Sequence, residues 1–147
     1  MSKSNHHFLI SVISITLLNL IFTLSVFSKK ALAITCADLD GAYVFSQEST
    51  PVYLGFFGSQ FSSDSIMNEY GTYGSPYSSL SVRNEIGTYG SPYSMYSANN
   101  DYASAPPKIY KYGVLFAYLT TNSLINGGVS LAAIDSSCTF YSSEKKV

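Results

Sequence analysis

Hydrophobic positions divide the chain into three parts. An almost unbroken apolar run opens it at residues 8–27, and short β-branched and aromatic runs flank a central stretch rich in Gly, Ser, Asn and Tyr. Such short runs, bounded by turn residues, are typical of strands. They predict strands at residues 42–45, 52–57, 108–110, 114–121, 123–125 and 129–134. Lys111-Tyr112-Gly113 and Asn126-Gly127-Gly128 predict the hairpins that join the last four.

The central stretch holds a tandem repeat with a period of 16 residues. Residues 62–77 and 78–93 agree at 12 of 16 positions, and a less regular third unit covers 94–109. Solenoids need about three or more units that share an apolar core, and these units contain few aliphatic residues. We therefore predict turn-rich loops packed on a separate sheet. Within each unit, Ser-x-Ser-Ile/Val-x-Asn also predicts one short helical turn, capped by Ser63 or Ser79.

These patterns predict a mainly β fold: a small antiparallel sheet with the turn-rich repeat inserted between strands two and three. The repeat has few aliphatic residues, so the flanking strands must supply the core. The residues expected there are Val114, Leu115, Leu119, Val129, Leu131 and Ile134. Residues 139–147 predict a frayed tail.

The repeat also carries a resemblance. Ser65-Ile66-x-Asn68 is followed by Tyr70-Gly71-x-Tyr73-Gly74-Ser75, in tandem and ending at Pro106-Pro107. This motif resembles a set of small exported bacterial proteins, cyanobacterial ones among them, and the similarity spans residues 53–121. The resemblance implies a bacterial source and no particular activity, so no functional residue is transferred.

The start of the chain predicts export. Lys3 supplies a basic start, the apolar run follows, and Ala31-Leu32-Ala33 is a small-x-small cleavage pattern. We predict a signal peptide at residues 1–33 and a single secreted or periplasmic domain at 34–147, with no stable membrane insertion after cleavage. The alternative is an uncleaved anchor, because about 20 apolar residues can span a bilayer.

Charge and cysteine content narrow the choice of partners. Three of the eight basic residues precede residue 34 and all nine acids follow it, so the exported part carries a net charge of −4. A phosphate backbone requires a basic surface, so we expect no nucleic-acid partner. Cys36 and Cys138 are the two cysteines, and an even count in an exported chain predicts a disulfide.

The exported part of the chain lacks the residue types that most enzyme mechanisms require. Both histidines, His6 and His7, lie in the predicted signal peptide, which excludes Ser-His and Cys-His catalysis and the usual zinc sites. We predict no cofactor, no metal and a non-catalytic role. The alternative is a small carboxylate-dependent hydrolase of the glycosidase type. Its candidate acids are Glu48, Asp64, Glu69, Glu85 and Asp101.

The Asn-acid pairs of the repeat admit two interpretations. Asn68-Glu69, Asn84-Glu85 and Asn100-Asp101 offer oxygen ligands of the kind that calcium takes. One pair per 16 residues is sparse for a calcium site. We expect each Asn to bond the backbone of its own turn and each acid to face water.

Tyrosine is the positive signal for function. All 13 tyrosines follow the predicted signal peptide. The ring offers an apolar face and a hydroxyl, which suits recognition of a glycan or a cell-surface protein. The expected binding surface consists of Tyr70, Tyr73, Tyr77, Tyr89 and Tyr93. The alternative is that these rings form the core of a segment that is short of aliphatic residues.

Overall fold

Five short strands and two short helices precede and follow the tandem repeat along the chain. The structure is a computed structural model that describes residues 34–140, so the predicted signal peptide lies outside the described residues. The elements in chain order are α1 (Cys36–Leu39), β1 (Tyr43–Phe45), β2 (Tyr53–Phe56), β3 (Lys108–Lys111), β4 (Val114–Leu119), β5 (Gly128–Val129) and α2 (Leu131–Ser137). The prediction of a mainly β chain is confirmed.

The strands form one mixed sheet in the order β2-β1-β3-β4-β5. The pairs β1·β2, β1·β3 and β3·β4 are antiparallel, as predicted. The last pair is parallel, with Tyr118 opposite Gly128 and Leu119 opposite Val129, so the expectation of an entirely antiparallel sheet is wrong. The repeat leaves the sheet after β2 and returns to it at β3, as expected.

The predicted hairpin at Asn126-Gly127-Gly128 is wrong because turns and a helix form on its two sides. The Oδ1 atom of Asn122 accepts the amide of Leu124 at 3.0 Å, so residues 123–125 form turns rather than a strand. The hydroxyl of Ser130 accepts the amide of Ala133 at 3.2 Å and caps α2. The Leu-Ala-Ala-Ile sequence that follows this cap has a high helix propensity.

The hairpin between β3 and β4 is confirmed. Lys111 pairs with Val114, which leaves Tyr112 and Gly113 as the two turn residues, with φ of 52° and 77°. Two-residue hairpin turns with positive φ at both positions match the twist of the flanking strands. Gly113 adopts this backbone without steric cost.

The core lies between the inner face of the sheet, α2 and the repeat. Val44, Ile109 and Ala117 point inward from the sheet. Leu119, Leu131 and Ile134 are buried as predicted, and Val129 is half-buried. The repeat adds three buried residues that were not expected to supply the core, Ile66, Val82 and Ala98, and it adds Tyr89, for which burial was the alternative.

Two predicted core residues are exposed instead. Val114 and Leu115 are 68% and 41% exposed. They lie at the turn end of β4, which β5 does not reach, because β5 pairs with Tyr118 and Leu119. These positions therefore have a neighbouring strand on one side only, and their aliphatic character does not bring them into the core.

The two ends of the described chain are joined. A disulfide links Cys36 in α1 to Cys138 at the end of α2, with 5.3 Å between the Cα atoms, as predicted. Phe140 is buried, and its ring lies 6.1 Å from that of Phe57, so the predicted frayed tail is wrong at this residue. Residues 141–147 lie outside the described residues. Among residues 34–140, no helix has the length and apolar character that crossing a membrane requires.

Candidate functional site in the repeat region

The repeat region is a run of hydrogen-bonded turns rather than a set of short helices. The amide of Ser65 donates to the carbonyl of Ser62, that of Asn68 to Ser65, and that of Gly71 to Asn68, at 2.9–3.2 Å. The next backbone hydrogen bond spans four residues instead of three, because the amide of Ser75 donates to the carbonyl of Gly71. The helical turn predicted in each unit is wrong, because Ser and Asn side chains bond the backbone in competition with a helix.

The three asparagines bond their own turns, as expected. The Nδ2 atoms of Asn68, Asn84 and Asn100 donate to the carbonyl oxygen six residues earlier, at 2.8–3.1 Å. Their Oδ1 atoms accept the amide two residues later, at 2.9–3.1 Å. The acids that follow them are exposed. In the part of the chain that is described, no cluster of three or more His, Cys, Asp or Glu side chains could hold a metal.

The same backbone carbonyl of each unit accepts a hydrogen bond from a later part of the chain. The carbonyl of Ile66 accepts from Arg83 Nε at 3.0 Å, and that of Val82 accepts from Asn99 Nδ2 at 3.1 Å. In the third unit, the carbonyl of Ala98 accepts from the amide of Thr121, beyond the repeat, at 2.9 Å. The side chains of these three acceptor residues are fully buried. The units therefore hold a regular backbone although each contributes few aliphatic groups.

A seven-residue segment before the repeat, residues 55–61, shares its sequence pattern and one of its turn hydrogen bonds. Its sequence, GFFGSQF, matches GTYGSPY at 71–77 and 87–93. The amides of Phe61, Tyr77 and Tyr93 all donate to the hydroxyl of the serine two residues earlier, at 3.2–3.3 Å. Phe61 is exposed and was not among the residues expected on the surface, although the Gly-x-x-Gly-Ser-x-aromatic pattern marks it.

The five tyrosines of the expected binding surface divide into two groups. Tyr70, Tyr77 and Tyr93 are 98%, 93% and 91% exposed. Tyr89 is 6% exposed and belongs to the core, and Tyr73 is half-buried against it. The exposed group is extended at equivalent repeat positions by Phe61 and Tyr102, which are also exposed. We call these five side chains, Phe61, Tyr70, Tyr77, Tyr93 and Tyr102, the exposed repeat rings.

The placement of Tyr73 and Tyr89 corrects the expectation that they form part of a binding surface. The hydroxyl of Tyr89 donates to Oε2 of Glu48 at 2.7 Å, and burial raises its pKa to about 12. The ring of Tyr73 packs edge-on against that of Tyr53 at 4.9 Å. Both rings therefore attach the repeat to the segments before it. Three of the five tyrosines are therefore exposed, as a binding surface requires. The other two pack on or in the core, as the alternative of a tyrosine core requires.

Comparison with protein-family models, curated proteins and solved structures finds no match for this chain.

Proposed function

We propose that this protein is a non-catalytic binding module that acts after export, and that the exposed repeat rings contact its ligand, a glycan or a cell-surface protein. The observation that carries the proposal is the near-complete exposure of Tyr70, Tyr77 and Tyr93. Large aromatic side chains gain much free energy when a partner removes them from water.

The backbone beneath the rings favours this use. The amides of Tyr70 and Tyr77 are held by Asn68 Oδ1 and Ser75 Oγ, at 3.1 and 3.3 Å. A ring on a fixed backbone loses only two side-chain torsions on binding, so its entropic cost is small. Phe61, Tyr77 and Tyr93 present similar groups at intervals of 16 residues, which allows weak contacts to add through effective concentration.

Location and charge support an exported role. The Cys36–Cys138 disulfide fits an oxidising compartment, either the periplasm or the exterior. The tandem motif resembles that of exported bacterial proteins, which agrees with the predicted signal peptide. The net charge of −4 in the exported part disfavours a nucleic-acid ligand.

The second candidate is a hydrolase that uses a carboxylate pair. Glu48 is held by the hydroxyls of Ser46 and Tyr89, at 3.0 and 2.7 Å. Glu69 and Glu85 are exposed and follow the asparagines that bond their own turns. Loss of a hydrolytic activity in a Glu48→Gln or Glu85→Gln variant would favour this candidate over the binding module.

The proposal is tested with labelled protein on a glycan array and on intact bacterial envelopes. The double variant Tyr77→Ala/Tyr93→Ala is compared with Tyr112→Ala, a control whose ring is 92% exposed but lies in the β3–β4 turn. We expect the double variant to lose binding while retaining the wild-type melting temperature. Binding that is equally weakened by Tyr112→Ala, or unchanged by the double variant, would contradict a role for the exposed repeat rings.

A further inference from the structure

The outer face of the sheet carries a second group of aromatic rings, separate from the exposed repeat rings. Tyr43 and Phe45 lie on it from β1, Tyr53 from β2 and Tyr110 from β3. The ring centroids of Phe45 are 5.4 Å from those of Tyr53 and 6.0 Å from those of Tyr110. Val44 lies between Tyr43 and Phe45 in sequence, and Ile109 directly precedes Tyr110. Both of these alternate residues point into the core. The sheet is therefore apolar on both faces.

A groove opens on this outer face. Its volume is about 490 Å³, within the range of small-ligand sites. Tyr43, Phe45, Ser46, Pro51, Lys108 and Tyr110 line it. Aromatic rings supply most of its surface, and the tyrosines add hydroxyls. We call it the sheet groove.

Lys108 is the cation of the sheet groove, and among the described residues it has no charged partner. It pairs across the sheet with Phe45 and Tyr118, and its side chain is half-buried. Within residues 34–140 its ammonium makes no hydrogen bond or ion pair with another side chain, whereas Arg83 is paired with Asp135 and Lys111 donates to the carbonyl of Asp40. A cation that is partly withdrawn from water beside apolar rings favours an anionic ligand.

The carboxylate of Glu48, which is bonded to a residue of the groove lining, is already engaged. Oε2 of Glu48 accepts from the hydroxyl of Ser46, which lines the groove, and from that of Tyr89. The hydroxyl of Ser46 is also fixed, since it accepts the amide of Val52 at 2.9 Å. These bonds leave Lys108 as the one unpaired charge that the groove offers from the described residues.

We propose that the sheet groove binds a carboxylated sugar ring, a uronic acid residue. The apolar C–H face of the pyranose packs against the rings of Phe45 and Tyr110, and its carboxylate accepts a charge-assisted hydrogen bond from the ammonium of Lys108. Aromatic rings with hydroxyls at their edge suit a ligand that has both an apolar face and hydroxyl groups. This site lies on the sheet, so it stands or falls independently of the exposed repeat rings.

Titration of the purified protein, followed by NMR, tests the site with three probes: methyl β-glucuronide, methyl β-glucoside and acetate. We expect the glucuronide to bind about tenfold more tightly than the glucoside, because its carboxylate adds a charge-assisted hydrogen bond. Lys108→Gln should reduce glucuronide affinity about tenfold, to the level of the glucoside. Lys111→Gln removes the same charge outside the groove and should leave affinity unchanged.

Four results would overturn the proposal. Equal loss in Lys108→Gln and Lys111→Gln would indicate a general charge effect. Equal affinity for acetate and the glucuronide would indicate a carboxylate site without sugar recognition. Loss of binding in Tyr77→Ala/Tyr93→Ala but not in Lys108→Gln would assign the sugar to the repeat. Absence of binding by all three probes would show that the groove takes no such ligand.

Discussion

The guanidinium of Arg83 in the second repeat unit binds the carboxylate of Asp135 on α2 through two hydrogen bonds of 2.7 Å. Its Nε atom also donates to the carbonyl of Ile66 in the first unit at 3.0 Å. One side chain therefore connects two repeat units to the helix that carries the disulfide. The equivalent residue in the third unit, Asn99, makes the corresponding bond between units to Val82.

Two substitutions separate the roles of Arg83. Arg83→Asn copies the third unit, so it should keep the bond between units and lose the ion pair, at a cost of about 0.2–1 kcal/mol for a pair this exposed. Arg83→Met copies the first unit and should cost about 1 kcal/mol more, because the carbonyl of Ile66 loses its donor. Urea unfolding measures both. Equal losses would show that Asn does not replace the bond between units.

Two leucines of β4 should differ sharply in their effect on stability. Leu119 is fully buried and Leu115 is 41% exposed. Leu119→Ala should lower the free energy of unfolding by about 2–5 kcal/mol, because it leaves a cavity in the core. Leu115→Ala should cost less than about 1 kcal/mol, since water already reaches the side chain. Similar midpoints for the two variants in chemical denaturation would place Leu115 in the core after all.

The turns of the repeat leave no space for a side chain at Gly74 or Gly90. A Cβ atom at Gly74 would lie 2.2 Å from the carbonyl oxygen of Asn68, and one at Gly90 would lie 2.5 Å from that of Asn84. Both neighbours are backbone atoms fixed by the turn. Gly90→Ala should therefore cost about 1–3 kcal/mol, as overpacking does. Thr88→Ala, two residues away and exposed, is the control and should change stability by less than about 0.5 kcal/mol.

Stability should fall at high pH through the buried Tyr89. Its pKa is raised to about 12 in the folded chain by burial and by the hydrogen bond to Glu48, against 10.0 for the ordinary side chain. The unfolded chain therefore releases this proton first as the pH rises above 10. Stability should decline by roughly 1 kcal/mol per pH unit between these two values. Tyr89→Phe should lessen this dependence, and Tyr77→Phe, whose ring is exposed, should not.

Export and disulfide formation are tested together by mass spectrometry of the protein recovered from the culture medium or periplasm. We expect the chain to begin at Ile34, and its mass to rise by about two units on reduction as one disulfide becomes two thiols. The bond closes a loop with a sequence separation of 102 residues. The chain-entropy model assigns closure of about 100 residues roughly 4.7 kcal/mol, so Cys36→Ser/Cys138→Ser should be less stable by up to that amount.

Local sequence signals predicted the elements that short-range chemistry specifies. The β3–β4 hairpin follows from a turn that tolerates positive φ at Tyr112 and Gly113. The Asn turns follow from side chains that reach only their own backbone. Both depend on residues within about six positions of one another, so neither needs the rest of the chain. The same local reasoning failed at residues 131–134, where β-branched and aliphatic character was given more weight than the Ser130 cap and two alanines.

The sequence by itself determined the 16-residue period, the first four strand segments, the cysteine pair and the absence of histidine after residue 33. Only the tertiary structure decided which tyrosines face water. Tyr89 meets Glu48, 41 residues away, whereas Tyr77, at a different position of the neighbouring unit, meets solvent. Burial depends on which distant segments pack together, as for Leu115, which β5 does not reach. A local pattern cannot specify those contacts.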